Sequence, residues 1–153
     1  MKVREYDLKN QTVLEIGKFA ILWNWLENEY CDNNCNFNTL KSVAPIVGMN
    51  TQKQKELADA FNERKLRLQL STEEYVDLAL FPPKARRSKQ TEQEERKTME
   101  EFIDQRGLDT EIGCLMSIYR IRCNMMHGLK FINELDDQIK LFEAANGVLE
   151  SIR

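Results

Sequence analysis

Apolar residues recur at helical spacing along almost the whole chain. A first helix is predicted from about Leu8 to Tyr30, where Val13, Ile16, Phe19, Ala20, Trp23 and Leu26 return every three or four positions. Ile21 and Trp25 widen that stripe, so this helix is expected to be contacted on two sides. Cys31 to Asn38 is rich in Asn and Asp and reads as a loop. A short helix follows from Thr39, with Pro45 and Gly48 marking its end. Thr51 opens a charged amphipathic helix to about Leu68, with Leu57, Ala60, Phe61 and Leu66 among its apolar positions. Ser71 with Glu74 three residues on forms a capping box, which predicts a helix over Thr72 to Leu80. Phe81-Pro82-Pro83 stops it, and residues 82–90 are expected to form a mobile basic loop. Thr91 through Gln105 reads as a charged helix ended by Gly107. Asp109 or Thr110 caps the next helix, which runs to Met126 with Gly128 just beyond. The last helix spans about Asn133 to Ile152, with Leu135, Ile139, Phe142 and Leu149 on its apolar side.

The expected fold is therefore all-α: one domain over residues 1–153, an antiparallel bundle of about five to seven helices with no sheet. Composition agrees, because 42% apolar and 31% charged residues suit a helical globular protein and exclude a disordered one. The formal net charge is -3, so any nucleic-acid contact must come from a local patch. One such patch is the run from Lys84 to Lys97, with six bases against three acids. Lys84, Arg86, Arg87 and Lys89 are its candidate RNA-backbone contacts, although most charge runs of this kind are simply solvated. No apolar run approaches the roughly 20 residues that span a bilayer, so no membrane partner is expected. Met1 to Asn10 is mixed charged sequence and not a signal peptide. The four cysteines, Cys31, Cys35, Cys114 and Cys123, are accordingly expected to be reduced thiols in a cytoplasmic protein. Cys31 and Cys35 have no second pair at ligand spacing, so no metal site or other cofactor is expected.

The helix from Asp109 to His127 is the most informative. On a wheel, Ile112, Leu115, Met116, Tyr119, Cys123 and Met126 form one apolar stripe. Cys114, Ile118, Ile121 and Met125 form a second stripe nearly opposite. A surface helix needs one stripe. Two predict burial on both sides, and for a chain of this size we expect the second stripe to be a homodimer interface. Arg120, Asn124 and His127 share one polar border, and Arg122 lies on the other, about 140° from His127. His127 is the only histidine in the chain. Arginine offers a permanent planar charge to phosphate oxygens, and histidine moves protons near neutral pH. The structural alternative is a histidine that caps the negative end of a helix dipole.

The run Arg122-Cys123-Asn124-Met125-Met126-His127, followed by Gly128, resembles the Arg-x4-6-His motif of the HEPN superfamily. The early aromatic helix, with Phe19, Trp23, Trp25 and Glu27, is similar to the first helix of those domains. The resemblance implies a small all-α dimer and, for many members, a metal-independent RNase of toxin–antitoxin or antiphage systems. It implies Arg122 and His127 as catalytic residues. Many members carry a polar residue, often Asn, directly after the arginine. Cys123 stands there instead, and Asn124 one position later is the substitute. The subclass paired with nucleotidyltransferase antitoxins has a tyrosine two positions after the histidine, where this chain has Leu129.

The implied reaction is cleavage by the ribose 2′-OH. His127 takes its proton, Arg122 stabilises charge on the phosphate oxygens with Arg120 in support, and Asn124 orients His127 or a phosphate oxygen. The expected partners are RNA, a second copy of the chain and a cognate antitoxin or defence protein. The competing classes are a non-catalytic dimerisation or RNA- or protein-binding module of the same type, and an unrelated helical regulator. Other enzyme classes fare poorly, since the chain lacks a glycine-rich phosphate loop and a Gly-x-Ser-x-Gly elbow. Cys123 lies one turn before His127, but the wheel assigns it to the core.

Overall fold

The computed structural model describes residues 1–81, 89–104, 107–126 and 132–153. Helices dominate: α1 (Asn10–Tyr30), α2 (Phe37–Val43), α3 (Thr51–Arg67), α4 (Thr72–Tyr75), α5 (Lys89–Asp104), α6 (Glu111–Met126) and α7 (Ile139–Ser151). Two of the predicted helices are not α-helical throughout. Beyond Tyr75 the chain widens into a π-helical turn over Val76–Leu80, and Ile132–Gln138 is a 3-10 stretch leading into α7. The expected all-α bundle is thus observed, with one addition. Lys2–Val3 (β1) and Tyr6–Asp7 (β2) pair antiparallel, Lys2 opposite Asp7 and Val3 opposite Tyr6. The turn between them places Arg4 at a positive φ, a conformation that local residue preference does not announce. The hairpin is anchored from outside: Leu8 N donates to Met1 O, and Lys9 N donates to the Asp136 carboxylate at 3.0 Å.

Helix ends follow the side chains that stop them. Asn36 accepts from Thr39 N, and Thr39 Oγ1 accepts from Asn36 N, so α2 starts two residues earlier than expected. Ser71 and Glu74 exchange the same two bonds at α4, at 3.2 and 3.1 Å. Thr110 caps α6 by accepting from Gly113 N at 3.1 Å.

The turn after α1 corrects one expectation. Cys31 and Cys35 are joined by a disulfide and are not free thiols. Asp32 and Asn33 take positive φ, which these short polar residues tolerate, and reverse the chain so that Cys35 returns to Cys31. Glu27 organises the reversal. Its carbonyl accepts from Cys31 N and Asn33 N, and its carboxylate accepts from Cys35 N at 3.1 Å. Cys114 and Cys123 are the free, buried cysteines.

One apolar cluster runs through the described helices, with Leu26, Leu40, Leu57, Tyr75, Met99, Leu115, Ile118 and Phe142 fully covered. Burying each such side chain contributes roughly 1.5–3 kcal/mol. α7 packs on α1 and α3. Its Asn146 is buried and donates to the Glu15 carbonyl and carboxylate of α1 at 2.9 and 2.7 Å. α6 is touched by α2, α3, α5 and the π turn.

Candidate functional site

From Gly113 to Ile121 every residue of α6 is buried except Tyr119, which is half-buried. The two apolar stripes are real, but the second one is covered by the chain itself. Cys114 and Ile118 are fully buried and Ile121 is 2% exposed, while Met125 is partly buried against the same core. Helices wrapped around α6 supply what a second subunit was expected to supply. The assignment of Cys114, Ile118, Ile121 and Met125 to a dimer interface is therefore withdrawn. Gly107 and Gly113 explain how the helix gets so close to the preceding turn. A Cβ at Gly113 would collide with the Gly107 carbonyl and lie 2.9 Å from Leu108 Cα.

Arg120 and Asn124, four residues apart, lie on one face of α6 and act as a pair. The π turn over Val76–Leu80 ends with carbonyls that have no helical partner. Arg120 donates to Leu80 O through Nε at 3.2 Å and through Nη2 at 2.9 Å. Asn124 Nδ2 donates to Ala79 O at 3.3 Å, and Asn124 Oδ1 accepts from Arg120 Nη2 at 3.3 Å. The guanidinium carbon lies 3.9 Å from the Phe81 ring centroid, and Nη1 lies 3.6 Å from the Glu95 carboxylate of α5. Arg96 joins the same cluster, paired with Asp77 and Glu92 and 6.0 Å from the Phe81 ring centroid. Burial pulls the Arg120 pKa below its ordinary value, while Cys123 and Glu95 act in the opposite direction. Arg120 is 5% exposed and Asn124 2% exposed, so neither presents a free polar group to a phosphate. Sequence patterning placed both on a polar border of the helix, yet the partners that fill them, Phe81, Glu95 and two backbone carbonyls, carry no local signal.

Arg122 differs. It is half-buried and has no hydrogen bond or ion pair among the described residues. His127 lies outside the described residues, as do Gly128 and Leu129. Of the basic run, Lys84, Arg86 and Arg87 also lie outside them. Lys89 opens α5, but its side chain is likewise outside the description. α5 begins there, within the predicted loop and two residues before the expected start.

The free thiols belong to the interior. Cys114 donates to Leu108 O at 3.3 Å, and burial, aided by Asp109 and Glu111, pushes its pKa up to about 12. Cys123 is 7% exposed, which is the core position that the wheel assigned to it. Tyr119 packs edge-on against Phe37 and tilted against Trp23, and burial, then Cys123, raises its pKa. No group of three metal-ligating side chains occurs among the described residues. No described helix is long and apolar enough to cross a membrane. Comparison with protein-family models, with curated proteins and with solved structures gave no match.

Proposed function

We propose that the chain is a metal-independent endoribonuclease of the HEPN type, with Arg122 and His127 as its reacting pair. The observation that carries this reading is the contrast between the two arginines of α6. Arg120 is consumed inside the fold, whereas Arg122 remains half-buried and unpaired among the described residues, five positions before the only histidine. An unpaired arginine in a helix otherwise buried is available for a phosphate.

In this reading His127 takes the proton from a ribose 2′-OH, and the oxygen attacks the adjacent phosphorus. The bond to the 5′ oxygen breaks, and that oxygen leaves with a proton. The products carry a 2′,3′-cyclic phosphate and a 5′-OH. Arg122 stabilises the charge that develops on the phosphate oxygens. Arg120 and Asn124 serve as positioning residues, holding the C-terminal half of α6 against the π turn. Such an activity belongs in the cytoplasm, where RNA and a cognate antitoxin or defence partner are met.

Purified protein should cleave total RNA in EDTA and leave 2′,3′-cyclic phosphate ends. His127→Ala and Arg122→Ala should each abolish cleavage while keeping the fold. Full activity in either variant rejects the assignment. A non-catalytic RNA- or protein-binding module is the second reading. It is favoured by the commitment of Arg120 and Asn124, two of the four expected catalytic side chains, to internal bonds. It predicts no cleavage, and partner binding that survives His127→Ala.

A further inference from the structure

The outer face of α1 is apolar and nearly uncharged. Leu14 is 59% exposed, Ile21 72% and Trp25 37%. On a helical wheel Leu14, Gly17, Lys18, Asn24, Trp25 and Asn28 all fall within about 60° of Ile21. The other face of α1, with Phe19, Trp23 and Leu26, is already buried, so this stripe is surplus to the core of the chain. Other large exposed apolar side chains, such as Ile46, Leu66 and Leu78, sit on separate elements.

Gly17 is a second and independent oddity. A glycine within a helix costs roughly 1 kcal/mol relative to alanine. Here a Cβ would meet nothing within 4 Å, so the fold of the chain itself gives no reason for it. A missing side chain in the middle of an exposed apolar stripe permits close approach by another backbone.

We infer that the α1 face around Gly17 and Ile21 is where a second copy of this chain packs. Charge selects that occupant. Lys18 is the only charged side chain in the stripe, and it is already bridged to Glu150 at 3.3 Å and Glu15 at 3.9 Å. A strongly acidic or basic partner finds nothing to pair with. In a two-fold interface, residues near the axis meet their own copies, so like charges repel there. Amides donate and accept, so Asn24 and Asn28 suit that symmetry, as do Leu14, Ile21 and Trp25. α3 is different, with Lys53, Lys55, Glu56 and Asp59 on its exposed side. Size is adequate: a 21-residue helix is about 30 Å long. Two such faces bury on the order of 1,000 Å² in all, the lower limit for a specific dimer. This inference does not depend on RNA cleavage.

Sedimentation velocity and light scattering over a concentration series test it. The wild-type chain should reach twice its 18.0 kDa mass. Ile21→Lys should weaken association by roughly tenfold or more while the helical circular dichroism is kept. Gly17→Ala should also weaken association, although it should fold at least as well as the wild type. Leu66→Lys, on α3, should dimerise normally. A wild-type chain that stays monomeric, or a folded Ile21→Lys variant that dimerises as tightly as the wild type, overturns the assignment. Dissociation by Leu66→Lys would overturn it too, by moving the interface to α3.

Discussion

Arg120 lies over the ring of Phe81, 3.9 Å from its centroid, and holds the Leu80 carbonyl with two nitrogens. One side chain thus neutralises the end of the π turn, covers an aromatic ring and faces the carboxylate of Glu95. Arg122, two residues on, does none of these things.

The two arginines should therefore separate in stability measurements. Arg120→Ala leaves two backbone carbonyls and the Glu95 carboxylate without their cation. Breaking such a buried pair costs roughly 3–5 kcal/mol. Arg120→Lys keeps the charge but loses the planar fork, and should still cost about 1–3 kcal/mol. Arg122→Ala should stay within about 1 kcal/mol of the wild type. Urea denaturation of the three variants measures this, and an Arg122→Ala variant less stable than Arg120→Ala would contradict the assignment of roles.

Two glycines should respond oppositely to the same methyl group. At Gly113 the neighbours are backbone atoms of Gly107 and Leu108, which cannot swing aside. Gly113→Ala should destabilise by roughly 2–3 kcal/mol, as overpacking of a rigid contact does. At Gly17 the space is open, so Gly17→Ala should raise the stability of the chain by about 0.5–1 kcal/mol. Thermal melts at low protein concentration read both, with about 2–4 °C expected per kcal/mol.

Reduction of the Cys31–Cys35 bridge should cost only moderately, because the loop it closes is short. Chain entropy assigns roughly 2 kcal/mol to a loop of this length. Denaturation with and without reductant gives the difference. Without reductant the unfolded chain should expose two reactive thiols, those of Cys114 and Cys123. In the folded chain Cys114 should resist alkylation near neutral pH, since burial keeps its pKa at about 12. Rapid labelling of Cys114 in the native state would show that this region opens readily.

The capping box at α4 should carry a pH signature. Bonds from the Ser71 backbone, then from its side chain, hold the Glu74 carboxyl below the ordinary value. A depressed folded pKa stabilises the fold fully above the unfolded value. The contribution declines as pH falls from the ordinary carboxylate range and is gone below the folded pKa. An NMR titration should place Glu74 low in the wild type and return it toward the ordinary range in Ser71→Ala. An unchanged titration in that variant would remove Ser71 as the cause.

Helix positions were legible in the chain because capping and apolar period are local. Ser71 and Glu74, Thr110, and the stripes of α6 lie within a few residues of what they control. What the chain did not disclose is long-range. The second stripe of α6 was patterned for burial, but only the packing of α2, α3, α5 and the π turn decides that the cover comes from the same chain. Arg120 and Arg122 look alike in sequence, and only contact with Leu80, 40 positions away, separates their roles. The disulfide depends on two consecutive left-handed residues, and the N-terminal hairpin on one at Arg4. Such conformations are set by what the turn must join, not by the residues' own preferences. Sequence alone determined the periodicity that makes this chain helical. Tertiary structure decided which polar groups the folded core would consume, because burial brings together partners that are distant along the chain.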